Sequence, residues 1–398
     1  MEIRLSFLLV MTVIFTVPFL LWRLGRTNGY APLVVIQILV GILLGPGVLG
    51  RTDPDFFMEM LNPKVLFLLK GVAWWGVMCF VMLTGLELDL RASWAHRKEA
   101  LTTAGLALIV PFALCAMAAA PLSQNPAWIG SNSQPWQFST GVGMACSVTA
   151  LPILTLFLQQ MGILGSPLGQ RVLRFASVDD LVLWTILAFV LIDWNRLLAQ
   201  FGFFLGFIPA GLTVRLCMRR LEVSDRWYAA LIWLTVCALA AEYAGLHFTV
   251  GAFLAGVSLD LDWFDRARVE QMRASVLFFM MPVFFLLTGL QTEWNPGESS
   301  ILTVAGVLLF LSVLGKLTGV FLAGKMLGWR RGEAAIIGWL LQTKALIMIL
   351  FSNVLLDRSI ITERMFSVLL LVALISTALT MPMVRLFGCE ALREGRRP

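Results

Sequence analysis

The sequence predicts an all-α polytopic membrane protein with about thirteen transmembrane helices. Of its 398 residues, 59% are hydrophobic and only 14% are charged, whereas about 25% are charged in a typical soluble domain. Apolar runs of about 20 residues, the length that crosses a bilayer, recur along the whole chain. The loops between these runs are alternately rich and poor in Lys and Arg. These observations exclude a soluble protein.

The breaks between the apolar runs delimit the predicted helices. The first run is not a signal peptide, because Glu2 and Arg4 make a poor amino-terminal region for one and no small-residue cleavage site follows. No long polar linker divides the chain, so we expect a single transmembrane domain, 1–388, and a short cytoplasmic tail, 389–398. We place the spans at residues 5–22, 30–50, 64–86, 100–121, 139–161, 169–192, 200–219, 226–243, 245–261, 273–291, 299–325, 332–356 and 362–387.

The distribution of basic residues predicts the orientation. With the N-terminus outside, the inside loops hold twenty-one of the thirty Lys and Arg residues and the outside segments hold six. Because cytoplasmic loops carry the excess of positive charge, this asymmetry indicates an outside N-terminus and a cytoplasmic C-terminus. The same loops account for the net charge of +6, so we expect no nucleic-acid partner. We expect an integral protein of a bacterial inner (plasma) membrane.

Two adjacent carboxylates, Asp179 and Asp180, lie near the middle of the apolar run 169–192. A charge at this depth costs at least about 2.5–3.5 kcal/mol, so such residues usually serve an ion or proton pathway. Neighbouring residues point about 100° apart on a helix, so one carboxylate can face a cavity while the other faces a partner helix. The pair therefore predicts a site for a proton or a monovalent cation.

Two spans in corresponding places carry helix breakers. The fifth contains Ser147-Val-Thr-Ala-Leu-Pro152, and the twelfth contains Gln342-Thr-Lys-Ala345. Interrupted helices at matching positions of two halves point to a transporter site near the bilayer midplane. Helices 1–6 and 8–13 then form two repeats of inverted topology, with crossed discontinuous helices and helix 7 as the linker.

The residues at these breaks complete the predicted site. Thr149 joins Asp179 and Asp180 as an ion-binding candidate, and Lys344 is the expected ion-pair partner of one aspartate, because a lysine within a span needs a counter-charge. Four other polar or charged residues of the spans are weaker candidates: Ser147, Thr343, Glu242 and Lys316.

Six segments in this order resemble the second branch of the monovalent cation:proton antiporters, which includes bacterial sodium/proton exchangers, potassium-efflux systems and plant cation/proton exchangers. Gln342-Thr-Lys-Ala-Leu346 is similar to the family's Asn-Thr-Arg/Lys-Gly-Leu, with Gln and Ala at the Asn and Gly positions and Met348 where relatives often carry Glu. The other five segments are Gly41–Gly50, Leu83–Asp89, Ala176–Leu181, Gly245–Gly256 and Met281–Leu290.

The resemblance implies a function and a division of roles. Asp180 matches the aspartate that binds cation or proton alternately, Asp179 matches the neighbour that pairs with a basic residue, here Lys344, and Thr149 lies where the broken helix lines the site. It also implies a sodium/proton antiporter fold and a homodimer formed through a scaffold bundle.

The function expected from these observations is secondary antiport of Na⁺ or K⁺ against protons by alternating access. The lipid bilayer is the other expected partner, and no cofactor and no enzymatic activity are expected. Two alternatives stay open: a channel-like cation efflux pathway, and a non-transporting sensor or accessory protein on the same fold. A channel is disfavoured, because the sequence carries no repeated filter of backbone carbonyls and a mid-membrane lysine lines a cation pore poorly.

Overall fold

The computed structural model describes residues 2–25, 33–87, 97–192, 196–292, 299–330 and 332–388. Within them, the chain is almost entirely helical, with one isolated antiparallel bridge between Ile129 and Ile361. The helices are α1 (Ile3–Leu24), α2 (Leu33–Leu44), α3 (Leu49–Thr52), α4 (Pro54–Met60), α5 (Pro63–Leu86), α6 (Arg97–Ala119), α7 (Pro135–Ser147), α8 (Leu151–Gln160), α9 (Pro167–Val190), α10 (Leu197–Arg220), α11 (Val223–Tyr243), α12 (Phe248–Ser258), α13 (Arg266–Ser275), α14 (Met281–Leu290), α15 (Ser299–Leu327), α16 (Glu333–Leu340), α17 (Ala345–Asp357) and α18 (Glu363–Gly388).

Local sequence signals set where the long helices begin. Asn62 precedes Pro63, and its side chain accepts a hydrogen bond from the Val65 amide at 3.0 Å. Ser166 precedes Pro167 in the same way. A polar N-cap satisfies an amide that the helix leaves free, and proline fits the first helical position because it lacks an N–H.

The helices pack as two bundles. The core bundle contains α6–α9 and α15–α18, with α15 packed closely along α6. The scaffold bundle contains α1–α5 and α11–α14, where α12 packs on α5 and α14 packs on α2. The bundles meet where α9 contacts α12, and where Asn353 Nδ2 of α17 donates to Thr288 Oγ1 of α14 at 3.3 Å. Helix α10 lies against α11 and α12.

Each of the thirteen predicted spans falls on a helix or on an interrupted pair of helices. Eight helical stretches of the described residues are long and apolar enough to cross a membrane, two of which, 33–52 and 266–290, include more than one of these helices. The number is nine when α16 and α17, bent by 43°, count as one span. The other predicted spans fall on helices that are interrupted, short or less apolar. The predicted all-α fold with discontinuous helices is confirmed, whereas the inverted relation of the halves stays a prediction.

Some parts of the sequence prediction lie outside the described residues: Leu88 and Asp89 at the end of the Leu83–Asp89 segment, the first three residues of the predicted span 30–50, and the tail 389–398. The glycine-rich segment Gly41–Gly50 ends α2. A Cβ atom at Gly41 would lie 2.4 Å from the Leu286 carbonyl oxygen of α14. Close helix packing therefore accounts for this glycine.

Close approach of α15 to α6 gives the first testable prediction. A Cβ at Gly319 would lie 2.2 Å from the Leu106 carbonyl oxygen, so Gly319→Ala forces the helices apart. Overpacking of this kind costs about 1–3 kcal/mol, and we expect a lower midpoint of thermal unfolding in detergent. Gly306→Ala on the same helix is the control, because no atom lies within 4 Å of its Cβ position. Equal melting of the two variants would contradict the close packing.

Candidate functional site

Helix α9 carries Asp179 and Asp180 into the interior of the protein. Both residues are fully buried, with 0% relative exposure. The segment that precedes them begins at the predicted inner face, where Arg171 contacts Glu99 at 2.7 Å and Glu333 at 3.5 Å. These ion pairs tie the start of α9 to α6 and α16, so α9 enters the core bundle at a fixed height.

The two predicted interruptions meet beside the aspartates. Helices α7 and α8 are separated at 148–150, and α16 and α17 at 341–344. The Ala150 amide donates to the Thr343 carbonyl oxygen, and Thr149 Oγ1 lies 3.0 Å from the Leu341 carbonyl oxygen. The breaks therefore cross and contact each other through their backbones, as the sequence predicted.

Thr149 links this crossing to α9. Its Oγ1 lies 2.7 Å from Asp179 Oδ2, and Thr149 is also fully buried. A hydroxyl group carries a single proton, so it donates to either Asp179 or Leu341 at one time. Thr149 thus couples the position of the Asp179 carboxylate to the break between α16 and α17.

The ammonium group beside the aspartates belongs to Lys316 and not to Lys344. Lys316 Nζ lies 2.9 Å from Asp179 Oδ2 and donates to the Ser147 carbonyl oxygen at 2.6 Å. The predicted ion pair between Asp179 and Lys344 is wrong, because Lys344 Nζ instead donates to the Val148 carbonyl oxygen at 3.2 Å. Packing of α15 against α6 and α7 brings Lys316 to the level of α9, and the sequence gives no direct sign of this rotation.

Both lysines serve the carboxyl-terminal end of α7. Its last carbonyl groups lack partners within the helix and carry the negative end of the helix dipole. Lys316 and Lys344 bind the carbonyl oxygens of Ser147 and Val148, and Ser312 Oγ donates to the Cys146 carbonyl oxygen at 2.6 Å. Three consecutive carbonyls in the bundle interior are therefore satisfied by side chains of α15 and the α16–α17 break.

Thr377 satisfies the opposite kind of helix end. Its Oγ1 accepts hydrogen bonds from the amides of Lys344 at 3.1 Å and Ala345 at 2.9 Å, at the start of α17. Sequence reasoning missed Ser312 and Thr377. Their signal is a single small polar residue within a long apolar run, which by itself does not distinguish a helix cap from ordinary packing.

Several buried oxygen atoms of the site have no hydrogen-bond partner among the described residues. They are Asp179 Oδ1, both carboxylate oxygens of Asp180, and Gln342 Oε1. Asp179 therefore has one oxygen fixed by Thr149 and Lys316 and a second one open, whereas Asp180 is open at both. This arrangement offers carboxylate oxygens to a proton or a cation.

The weaker sequence candidates separate into two groups. Ser147 and Thr343 lie at the breaks, but their hydroxyl groups are directed to the preceding helical turn, at 3.0 Å from the Gly143 carbonyl and 2.7 Å from the Leu340 carbonyl, respectively. Glu242 is not part of the site. It lies near the end of α11, where Arg358 Nη2 contacts its carboxylate at 2.8 Å.

The two lysines give the second testable prediction. Lys316→Gln leaves Asp179 buried without its cation, so we expect a loss of about 3–5 kcal/mol in stability. Lys344→Gln removes a hydrogen bond to a carbonyl group and costs less, about 1.5–3 kcal/mol. Thermal unfolding in detergent measures both. Adding Asp179→Asn should recover part of the lost stability in the Lys316→Gln variant but not in the Lys344→Gln variant. Recovery only in the Lys344→Gln variant would instead support the ion pair between Asp179 and Lys344 that the sequence predicted.

Comparisons with known proteins identify the family to which this chain is similar. The family model described as "Sodium/hydrogen exchanger, transmembrane" matches residues 10–386. Cation/H(+) antiporter 18 of Arabidopsis thaliana is 29% identical over 376 residues, which cover 89% of this chain and 45% of that protein. The chain thus spans about half the length of the plant relatives.

Microbial relatives are similar over the same region. Na(+)/H(+) antiporter NhaS4 of Synechocystis sp. is 27% identical, with 89% of this chain and 90% of that protein covered. K(+)/H(+) antiporter 1 of Saccharomyces cerevisiae is 27% identical, with 92% and 44% covered.

A solved structure supports the fold. The sodium proton antiporter MjNhaP1 from Methanocaldococcus jannaschii superposes with a TM-score of 0.62 at 13% identity, and the match covers all of both chains. The crossed interrupted helices around the buried aspartate pair agree with this shared fold. Since the family model matches residues 10–386, the chain belongs to the family of transmembrane sodium/hydrogen exchangers.

Proposed function

We propose that this protein is a secondary active antiporter that exchanges Na⁺ or K⁺ for protons, with Asp180 as the group that binds them alternately. The observation that carries the proposal is the state of the Asp180 side chain. It is fully buried, and neither carboxylate oxygen has a hydrogen-bond partner among the described residues.

The cost of burying charge explains why this observation matters. A carboxylate without a partner is very unfavourable in an apolar interior, so a buried one is neutralised or paired. The closed site therefore needs either a proton or a cation at Asp180. Two ligands that each satisfy the same requirement, and that cannot occupy the same oxygens together, compete for the site. Competition of this kind is the basis of coupled exchange.

Asp179 has a different role in this proposal. Its Oδ2 is fixed by Lys316 at 2.9 Å and by Thr149 at 2.7 Å, while Oδ1 is free of partners among the described residues. The fixed oxygen anchors α9 to the crossing helices. Asp179 Oδ1 serves as a second ligand for the cation bound at Asp180. The cation and the Lys316 ammonium group then compete for the negative charge of the Asp179 carboxylate.

The location of the proposed site within one bundle supports alternating access as the transport mechanism. Asp179, Lys316, Thr149 and Lys344 belong to α7–α9 and α15–α17 and their breaks, all in the core bundle. We propose that this bundle moves as a unit against the scaffold bundle and carries the bound ion with it. Both aspartates are buried here, which corresponds to a closed state of such a cycle.

The names of the relatives bear on the choice of cation. One is named a Na(+)/H(+) antiporter and another a K(+)/H(+) antiporter. A third, of Bacillus cereus, is named a Na(+)/H(+)-K(+) antiporter and is 24% identical to this chain. We therefore propose Na⁺ or K⁺ as the substrate. We also propose a homodimer, with an outside N-terminus and a cytoplasmic C-terminus in a bacterial inner membrane.

The third prediction tests exchange directly. Purified protein is reconstituted in liposomes that contain a pH-sensitive dye, a pH gradient is imposed, and Na⁺ or K⁺ is added. We expect cation-dependent collapse of the gradient by the unmodified protein and none by Asp180→Asn, because the amide is uncharged and cannot exchange a bound proton for a cation. Asp262→Asn, at an exposed aspartate near α13, is the matched control and keeps full activity.

A folded and correctly inserted protein that responds to neither cation would refute antiport. Collapse of the gradient by Asp180→Asn at the unmodified rate would leave antiport standing but remove Asp180 from the mechanism.

The fourth prediction tests competition at one carboxylate. In the pH range where Asp180 is protonated in the unloaded protein, the apparent KM for the cation should rise about tenfold for each unit of falling pH, with the maximal rate much less affected, because each proton bound excludes one cation. Initial rates across a cation and pH matrix measure this. A KM independent of pH, with only the maximal rate changing, would contradict a shared site.

A further inference from the structure

Two adjoining cavities lie where the core and scaffold bundles meet, and the lower one lies beside α10. The lower cavity has a volume of about 550 Å³ and is lined by side chains of α9, α10 and α12. The upper cavity has a volume of about 540 Å³ and is lined by the segments that connect the helices at the predicted outer face. Ile192 lines both cavities, so they adjoin each other. Neither cavity includes the aspartate pair.

The lower cavity is apolar and opens sideways. Its walls include Trp184, Phe201 and Phe253, and the exposed fraction of Phe201 is 64%. It extends from Leu181 of α9 to Ile192, just beyond the end of that helix, which is about 16 Å at the helical rise of about 1.5 Å per residue. The hydrocarbon core of a bilayer is about 30 Å thick, so this length corresponds to the acyl chains of one leaflet.

The upper cavity is polar and contains an arginine. Asn132, Ser133 and Gln137 line it together with Arg358. Arg358 Nη2 contacts Glu242 Oε1 at 2.8 Å and the Leu246 carbonyl oxygen at 2.7 Å. A guanidinium group has five N–H donors, and the contacts of Arg358 with described residues use Nη2 alone, so Nη1 and Nε remain for an anion.

A second arginine lies at the rim of the upper cavity. A Cβ atom at Gly245, which lines that cavity, would lie 2.6 Å from Arg196 Cδ, so the Arg196 side chain lies directly against it. Arg358 and Glu242 therefore form an ion pair at the polar space, and the Arg196 side chain lies close to it. Planar guanidinium groups bind phosphate with paired hydrogen bonds.

We propose that one phospholipid of the outer leaflet binds here, with an acyl chain in the lower cavity and its phosphate at Arg358 in the upper cavity. The apolar and polar spaces are stacked across the predicted boundary between hydrocarbon and water. An occupant must then be amphipathic, must reach about half of the hydrocarbon core, and must offer oxygen acceptors to the Arg358 N–H groups at its polar end. A phospholipid meets all three requirements.

The bound lipid contacts both bundles close to the aspartate pair. Leu181, at the deep end of the lower cavity, directly follows Asp180 in α9. Trp184 of the core bundle stacks on Phe253 of the scaffold bundle with ring centroids 5.1 Å apart. A chain that lies along these two rings fills the space between α9 and α12. The lipid site rests on the two cavities and holds whether or not the protein exchanges cations.

The test is lipid retention by the full chain. Protein purified in detergent is titrated with phosphatidylglycerol or with diacylglycerol, and bound lipids are counted by native mass spectrometry. Two variants change the site: Ala188→Trp fills the lower cavity, and Asn132→Asp adds a negative charge to the upper one. Their controls are Leu212→Trp, at an exposed position of α10 outside the cavity, and Asn125→Asp in the segment before α7.

We expect the unmodified protein and both controls to retain one phosphatidylglycerol per chain and to bind diacylglycerol at least about tenfold more weakly. We expect Ala188→Trp and Asn132→Asp to weaken phosphatidylglycerol binding by about tenfold or more. Equal retention by the cavity variants and the controls would overturn the proposal and indicate only general lipid coating. If thermal unfolding shows that Ala188→Trp is misfolded, Asn132→Asp, at an exposed loop residue, decides alone.

Discussion

The buried ion pair between Asp179 and Lys316 is the interaction on which the core bundle depends. Lys316 holds the Asp179 carboxylate and the Ser147 carbonyl group at once, so it ties α15 to both α9 and the end of α7. Thr149 extends the connection to Leu341 at the break between α16 and α17. Removal of either charge leaves the other buried without compensation. The resulting loss of stability is larger than the net stabilisation that the intact pair provides. The pair therefore fixes the relative positions of four elements.

The interrupted helices explain why so many polar side chains meet at this depth. A backbone group without a hydrogen bond costs several kcal/mol in hydrocarbon, so a break within a membrane is tolerated only where other protein groups satisfy it. Ser312, Lys316 and Lys344 satisfy the carbonyl end of α7, and Thr377 satisfies the amide end of α17. The breaks and their polar partners form one unit, since neither is stable in the bilayer interior alone.

The sequence was sufficient for the residues whose environment is local. Asp179 and Asp180 were predicted because apolar residues surround them on both sides, and the breaks at 148–150 and 341–344 because polar residues interrupt apolar runs. It was not sufficient for the partner of Asp179. Lys316 and Lys344 are both single lysines in apolar helices, and only the rotation of α15 against α6 and α7 decides between them. That rotation depends on packing between segments that are far apart in sequence. A hydropathy pattern contains no information about such packing.

In the proposed mechanism, the two aspartates provide one fixed support and one site that exchanges its ligand. Residues adjacent in a helix differ by about 100° in direction, so Asp179 meets Lys316 and Thr149 while Asp180 meets no hydrogen-bond donor among the described residues. A carboxylate that releases its proton or cation in each cycle cannot have permanent hydrogen-bond or ion-pair partners. Such partners would stabilise its charge without the proton or cation. A group that supports the crossing helices must be held throughout. Adjacent placement allows the same residue type to meet both demands, and in the proposed mechanism it couples occupancy at Asp180 to the charge on the neighbouring Asp179.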